Sequence, residues 1–375
     1  MKKIVVLALT LCLAFAGSAL AADTVRIGLM GPMTGPWASE GQEMKQVLDL
    51  LAEELNAAGG IAGKTKVEIV SEDDGGDPRT ASLAAQRLAS RDIAAVIGTY
   101  GSSITEATQN IYDEESIVQV ANGSTAIRLS EKGLKYFFRT CPRDDEQGRV
   151  AAETLKNLGF GKIAILHDNT SYARGLADET RALLEAAEGV EIVLFEALTP
   201  GEQDYNTILT RLRGTGPDAV FFTGYYPEAG LLLRQKAEMG WDVPFMGGDA
   251  TNHPDLVKIA GAASAEGFRF VSAPLPKDLD NAEAKDFVDA FQKKYGNPPS
   301  SIYAVLAGDG FRVVAEAIGK TGSTDPDAMA AFLKTELGDF PGLTGQISFD
   351  EKGDRVGEVY RAYRVDEKGE FILQP

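Results

Sequence analysis

Histidine and cysteine are nearly absent from this chain, with two of each among 375 residues. Zinc and iron–sulfur centres draw mainly on those two residue types, so either would need an unusual donor set, and neither a metal nor a cofactor is expected. Basic residues are also in deficit: 37 Lys and Arg face 55 Asp and Glu, a net charge of −18. Such a surface repels phosphate backbones and anionic lipid, which argues against a nucleic-acid partner. Two cysteines cannot build a disulfide scaffold, and 44% hydrophobic with 25% charged residues exclude a disordered or collagen-like chain. What remains is the composition of a globular protein with a full core, long enough for two domains, or three, at ~100–200 residues each.

The first residues read as an address. Lys2 and Lys3 precede an apolar run over 4–16, and Gly17-Ser18-Ala19-Leu20-Ala21 closes it with an A-x-A pattern. This is a secretory signal layout, with cleavage expected after Ala21 or Ala22. About 13 apolar residues fall short of the ~20 that span a bilayer. Cys12 lies inside the apolar run behind Leu11, not behind a small residue, so it does not read as a lipoprotein cysteine. Cleavage leaves Cys141 as the sole thiol, allows no internal disulfide, and takes away two lysines and no acids, moving the net charge to −20. No later stretch is apolar enough to enter a membrane.

Beyond the leader, the hydrophobic period switches repeatedly. Strands are expected at 25–30, 67–70, 94–97 and 117–120, separated by helices at 39–56, 78–89 and 102–112. After Cys141-Pro142 a second series places helices at 144–158, 172–187, 207–213 and 227–239 among strands at 162–166, 191–195, 219–222, 244–246 and 267–271. Helices at 282–295, 302–320 and 326–337 and a β-rich stretch over 345–373 follow. Continuous apolar strands alternating with helices indicate α/β units with parallel sheets covered on both faces. The remainder is too short for a third core, so it is expected to cross back and complete the first unit. Open α/β sheets bind ligands beyond the carboxyl ends of their strands, which puts a site in a cleft between two such sheets.

Few motifs point to catalysis. Ala58-Gly59-Gly60-Ile61-Ala62-Gly63-Lys64-Thr65 satisfies a relaxed phosphate-loop pattern, but a helix precedes it and a strand follows, the inverse of the working order. A glycine cap and turn explain it better. No G-x-S-x-G elbow is present. His167 and His253 are candidate bases for a secreted hydrolase, yet no nucleophile is marked out beside either, and both read as surface or loop residues. Asp73-Asp74 is explained as well by capping or loop solvation. The strand-end loops say more: Gly98 to Ser103, Ala121 to Thr125, His167 to Tyr172, Thr223 to Tyr226, and Gly247-Gly248-Asp249. Helix-start N–H groups with hydroxyls suit a carboxylate, Asp249 suits an ammonium, and Tyr172 and Tyr225 offer flat walls with polar tips. Taken singly, each loop is a cap or a turn; their recurrence at one end of successive strands is what suggests a site for an amino-acid zwitterion.

The chain resembles the leucine/isoleucine/valine-binding family of periplasmic solute-binding proteins, which feed ABC importers. The resemblance covers nearly the whole mature chain. It runs through Gly31-Pro32-Met33-Thr34-Gly35-Pro36, Asn56 to Ile61, Asp73-Asp74 with Asp77-Pro78, Val96-Ile97-Gly98 with Ser102-Ser103, His167-Asp168 with Tyr172 and Gly175-Leu176-Ala177, Gly224 to Glu228, Phe245-Met246-Gly247 and Phe349 to Asp354. It implies a type I periplasmic binding fold of two doubly wound parallel-sheet lobes, 22–143 with 272–355 and 144–271 with 356–375. Three hinge crossings are implied near 141–145, 270–275 and 352–358. By the same resemblance, Ser102 with the loop Gly123, Ser124 and Thr125 holds a carboxylate, and Asp249, Tyr172 and Tyr225 close from the second lobe. The implied role is a monomeric, non-catalytic periplasmic receptor for an aliphatic or branched-chain amino acid, delivered to a membrane permease. Receptors for an aromatic or organic acid, an amide or a basic amino acid stay open, as does a sensor module. Two departures stand out. Some relatives carry a disulfide where this chain has Gly76 and Gly101, and leucine binders often have an aromatic or apolar residue where this chain has Glu40. Glu40 either lies at a solvated rim or faces a polar or cationic side chain, and Trp37 beside it either walls the ligand or packs under its loop.

Overall fold

The computed structural model describes residues 24–374; the expected leader, with Cys12 and its cleavage site, lies outside the described residues. Strands β1 (Thr24–Gly31), β2 (Lys66–Asp73), β3 (Ala95–Ile97), β4 (Val118–Ala121) and β5 (Phe137–Arg139) form an all-parallel sheet in the order β2-β1-β3-β4-β5. A second sheet takes β6 (Lys162–His167), β7 (Glu191–Ala197), β8 (Ala219–Thr223), β9 (Phe245–Gly247) and β10 (Arg269–Ser272). A short antiparallel hairpin follows, β11 (Phe340–Gly342) with β12 (Gly345–Ile347). The chain then returns with β13 (Arg361–Val365) and β14 (Phe371–Leu373), giving the order β14-β13-β10-β9-β8-β6-β7.

The strands that read as continuous apolar runs are the buried ones. Ala95, Val96, Ile97, Val118, Val120, Ile163 to Leu166 and Ala219 to Phe222 are shut off from solvent by helices on both faces, which is why no polar–apolar alternation marks them. The helices at 282–295, 302–321 and 326–335 do cross back. Helix Ile302–Thr321 packs along helix Ala38–Ala57 and onto β3 and β4 of the first sheet.

Two expectations need correction. The second sheet is not purely parallel: β13 joins β10 antiparallel, and β14 pairs antiparallel with β13. The β-rich stretch over 345–373 is therefore divided between the hairpin and this sheet edge. Strand β5 was not expected at all. Three residues cannot display a period, and Phe137-Phe138-Arg139 becomes a strand only because β4 is there to pair with it. The glycine turn after helix Ala38–Ala57 is as expected: Gly59 and Gly60 have φ of 109° and 88°, and the Gly60 N–H closes the helix onto the Leu55 carbonyl.

Arg139 at the end of β5 is wholly buried and organises its surroundings. It forms a salt bridge with Asp354 and donates to the carbonyls of Ser124 (3.0 Å) and Ala126 (2.9 Å) and to the Ser130 hydroxyl (2.8 Å). Arg143 reaches the other Asp354 oxygen at 2.7 Å. One guanidinium thus ties the loop after β4 to the segment that leads back into the second sheet. Removing one partner of a buried pair strands the other charge, at about 3–5 kcal/mol. Asp354→Ala is expected to lower unfolding free energy by about that much, and denaturant titration showing under 1 kcal/mol of loss would contradict it.

Candidate functional site

The carboxyl ends of the two sheets face each other, and the loops that leave them meet. From the first sheet come the loops after β1, β3 and β4; from the second come those after β6, β8 and β9. Several bonds join the facing sides directly. The Ser171 N–H donates to Ser103 Oγ (3.0 Å), Ser39 Oγ to Asp255 (2.7 Å), Tyr226 OH to the Pro36 carbonyl (3.0 Å), and Arg128 to Ser171 Oγ (2.6 Å).

Local sequence explains the loops on the first side. Asp73 gathers the N–H groups of Met33 (2.9 Å), Thr34 (3.2 Å) and Gly75 (2.8 Å) with the Thr34 hydroxyl, lashing the loop after β1 to the one after β2. Asp74 is buried rather than solvated, accepts from the Gly76 N–H, and is pushed up to about 7 by burial. Gly98 turns the chain after β3 with φ of 122°, where a Cβ would sit 2.0 Å from the Met30 carbonyl oxygen. Helix Ser102–Glu114 then starts from Gly101 with no side-chain cap.

The expected residues do come together, with differences in what each one does. Ser102 Oγ accepts from the Ala126 N–H (3.2 Å), pinning the next loop. Gly123 lies so close to Tyr100 that a Cβ would stand 2.8 Å from its carbonyl oxygen. The Ser124 hydroxyl is turned back into its own sheet, bonded to Thr105 Oγ1 (2.8 Å) and the Thr99 carbonyl (3.0 Å). The Thr125 hydroxyl is buried without a partner, while its carbonyl accepts from the Asp144 N–H (3.0 Å). Trp37 packs against its own side's loops and also reaches the opposite side. Its indole stacks on Tyr225 at 4.1 Å and meets Tyr100 edge-on at 5.6 Å. The same ring rests on Gly76 and Gly101, where added Cβ atoms would stand 2.9 and 3.1 Å from it.

On the second side Asp249 is buried in a polar relay. Tyr360 OH donates to its Oδ2 (2.9 Å), and its own N–H donates to Gln147 Oε1 (2.9 Å), which also accepts from Tyr172 OH (3.2 Å). Gln147 Nε2 in turn donates to Asp144 Oδ1 (2.9 Å) and Tyr360 OH (3.0 Å). Burial raises the Asp249 carboxyl, and the hydroxyls of Tyr172, Tyr360 and Tyr303 oppose the rise. Tyr225 bridges Trp37 and Tyr172, the latter at 5.5 Å. Tyr100, Asp144, Gln147, Tyr303 and Tyr360 belong to this constellation and were not anticipated. Tyr100 alone had a signal, inside a strand-end loop; the others come from helix starts and a sheet edge.

One of the two alternatives for Glu40 is removed, and the surface placement expected for the two histidines is overturned. Glu40 is not at a solvated rim: it is fully buried, bonded to Ser301 Oγ, and burial pushes its carboxyl up to about 8. His167 and His253 are buried, not surface residues. Each has Nδ1 accepting from the backbone N–H two residues on, and burial holds both below the usual range, His253 at about 4.

Against this geometry, the model of the family described as "Periplasmic binding protein" matches residues 24–370. The chain belongs to that family. A leucine-, isoleucine-, valine-, threonine- and alanine-binding protein from Pseudomonas aeruginosa is 36% identical over 93% of this chain and 92% of its own length. A Leu/Ile/Val-binding protein homolog from Brucella abortus is 37% identical over 98% of both. Among solved structures, the branched-chain amino acid transporter substrate binding protein of Streptococcus pneumoniae in complex with isoleucine superposes with a TM-score of 0.85, at 30% identity, covering 94% of this chain and 99% of that one. A leucine binding protein from Thermotoga maritima gives 0.85 at 29% identity, covering 94% and 98%. The type I periplasmic binding fold is therefore the fold of this chain. Among the described residues, no helix is long and apolar enough to cross a membrane, and no cluster of His, Cys, Asp and Glu is set to hold a metal ion.

The Glu40 shift has a consequence for stability. Between about 4.5, its ordinary value, and about 8, the folded chain holds a proton that the unfolded chain has released. Stability from that proton is whole below about 4.5 and is lost as pH rises through about 8. Asp74 and Asp168, each raised to about 7, act with the same sign over a window that ends lower. The melting temperature of the unliganded protein is expected to fall from pH 5 to 8, with the last part of that fall missing in Glu40→Gln. Parallel melting profiles for the two proteins would contradict the assignment.

Proposed function

We propose that this chain is an exported, periplasmic receptor that captures one α-amino acid between two lobes and delivers it to the permease of an ABC importer, without chemical conversion. The observation that carries this reading is Asp249, a buried carboxyl held by Tyr360 on the second side, while the first side offers a helix start that no side chain caps. A zwitterion answers both. Its ammonium offsets the buried acid, and its carboxylate takes the free N–H groups of the helix start. In this reading Ser102, Gly123, Ser124 and Thr125 hold the carboxylate, Ser124 through its backbone because its hydroxyl is spent on Thr105 and Thr99. Tyr172, Tyr225 and Trp37 exclude water around the guest.

The lobes are taken as 22–143 with 272–355 and 144–271 with 356–375, hinged near 141–145, 270–275 and 352–358, and the receptor as a monomer. Closure is driven by contacts the ligand makes to both sides at once. A hydrolase finds little support: each candidate histidine has one ring nitrogen committed to backbone, and no nucleophile stands beside either. The names of the Pseudomonas and Brucella relatives support an aliphatic ligand. Buried Glu40 favours a second reading, an amino acid with a polar side chain.

Truncating one partner of a buried, hydrogen-bonded charge pair costs about 2–5 kcal/mol in affinity. Asp249→Ala is therefore expected to weaken amino-acid binding at least ~30-fold while circular dichroism stays unchanged. Calorimetry on the folded variant showing wild-type affinity would refute the role given to Asp249. In a thermal-shift screen of the twenty amino acids, the ligand raises the melting temperature because it binds the folded state alone, and it is recovered unaltered. Product formation would favour the hydrolase.

A further inference from the structure

Glu40 sits in the first turn of helix Ala38–Ala57. Its Oε2 accepts from the hydroxyl of Ser301, the residue that caps helix Ile302–Thr321. Ser301 Oγ already accepts the N–H groups of Tyr303 (3.1 Å) and Ala304 (3.2 Å). Both lone pairs of that oxygen are in use, so its single proton goes to Glu40 Oε2 and cannot serve Oε1. Oε1 is buried with no partner.

Among the described residues, the neighbours of Glu40 supply no cation. Glu43 on the same helix is spoken for by Ser300 and the N–H of Ser301, and it only repels. Asp255 repels too, and is itself held by Ser39 and Lys258. Tyr226 is stacked on His253 at 4.5 Å, a ring that burial keeps neutral. Tyr100, whose hydroxyl is also buried without a partner, feels both Glu40 and Asp249. Glu40 and the proposed ammonium site thus flank one phenol, with Trp37 a turn away against Tyr225.

We propose that Glu40 Oε1 receives an N–H of the ligand's own side chain, so that the preferred amino acid carries a terminal amide or cationic nitrogen instead of a purely aliphatic tip. This rests on the α-amino-acid reading above and narrows it. An aliphatic methyl group set against Oε1 leaves a buried polar atom unpaired, at about 1–3 kcal/mol, whereas an N–H satisfies it. Sites that hydrogen-bond a substrate group discriminate strongly against analogues lacking it, because the site is then left unpaired. An amide satisfies the protonated acid on both oxygens: Oε1 accepts its N–H, and the proton, held on Oε2, is donated to the amide's own carbonyl oxygen. A cation instead pairs with the ionised carboxylate, whose proton passes to solvent on binding.

Calorimetry on the full mature chain with leucine, glutamine, lysine and arginine tests this, alongside Glu40→Leu and Glu40→Gln. Glutamine or a basic amino acid is expected to bind the wild type at least ~10-fold more tightly than leucine, and Glu40→Leu to reverse that order. Glu40→Gln separates the sources: an amide ligand is kept within a few-fold, and a cation is weakened about 100-fold. A cation also makes the binding heat depend on the buffer's ionisation enthalpy. If Glu40→Leu fails to fold, the wild-type order and Glu40→Gln decide. Leucine binding the wild type most tightly, or an unchanged order in the variants, overturns the proposal and leaves the amino-acid reading standing. No binding by any of the twenty amino acids brings down both.

Discussion

A carboxyl group buried between two sheets, with no cation bonded to it among the described residues, is the constraint around which this protein is arranged. Asp249 cannot be left bare, because an isolated carboxylate out of water is far costlier than any single hydrogen bond can offset. The chain surrounds it with hydroxyls and an amide. Tyr360 donates to it, and Gln147 joins its backbone to Tyr172 and to Asp144, a second buried acid. These dipoles ease the cost of the charge without cancelling it. In the proposed function, this ordered position is the one offered to the positive end of a guest, where burial strengthens each contact.

Arg139 is a buried guanidinium close to this region, and it is already committed. Its charge goes to Asp354, and its remaining donors go to the carbonyls of Ser124 and Ala126. The loop proposed to hold the ligand's carboxylate is thus fixed from behind by a residue that also grips the return path to the second sheet. Shape at the loop and position of the crossing are coupled through one side chain. The cation serves as scaffold.

Much of this was legible from the order of residues alone. Strands such as Ile163 to Leu166 and helices such as Ile302–Thr321 announce themselves because burial on both faces, or on a broad stripe, writes a pattern several residues long. The strand-end loops announce the cleft for a topological reason: in parallel sheets all carboxyl ends lie on one side. What escaped has physical causes too. Strand β5, which pairs with β4 across an intervening helix, and the two strands of the β11–β12 hairpin are three-residue segments, each too short to display a hydrophobic period. Tyr303 and Tyr360 reach the cleft from helix and strand starts over a hundred residues from Tyr172 and Tyr100, a proximity created only by the chain crossing back. The burial of Glu40 escaped for the same reason, since Ser301 is 261 residues away.

The missing disulfide illustrates how one fold tolerates different fastenings. Where the resemblance implies a cystine in some relatives, this chain has Gly76 and Gly101, and the indole of Trp37 lies over both, so close that an added Cβ would press on the ring. A covalent link would hold the two loops by limiting the unfolded chain; an aromatic ring holds them by burying area in the folded one. The substitution does more than replace a fastener. Trp37 also carries its face to Tyr225 across the cleft and its edge to Tyr100, so the element that joins two loops of the first sheet is also part of the seal against the second. Loop order and cleft packing then rest on a single side chain. That explains why the glycines, the tryptophan and the tyrosines belong together as one set, and why restoring cysteines at 76 and 101 would displace the ring that the opposite face packs against.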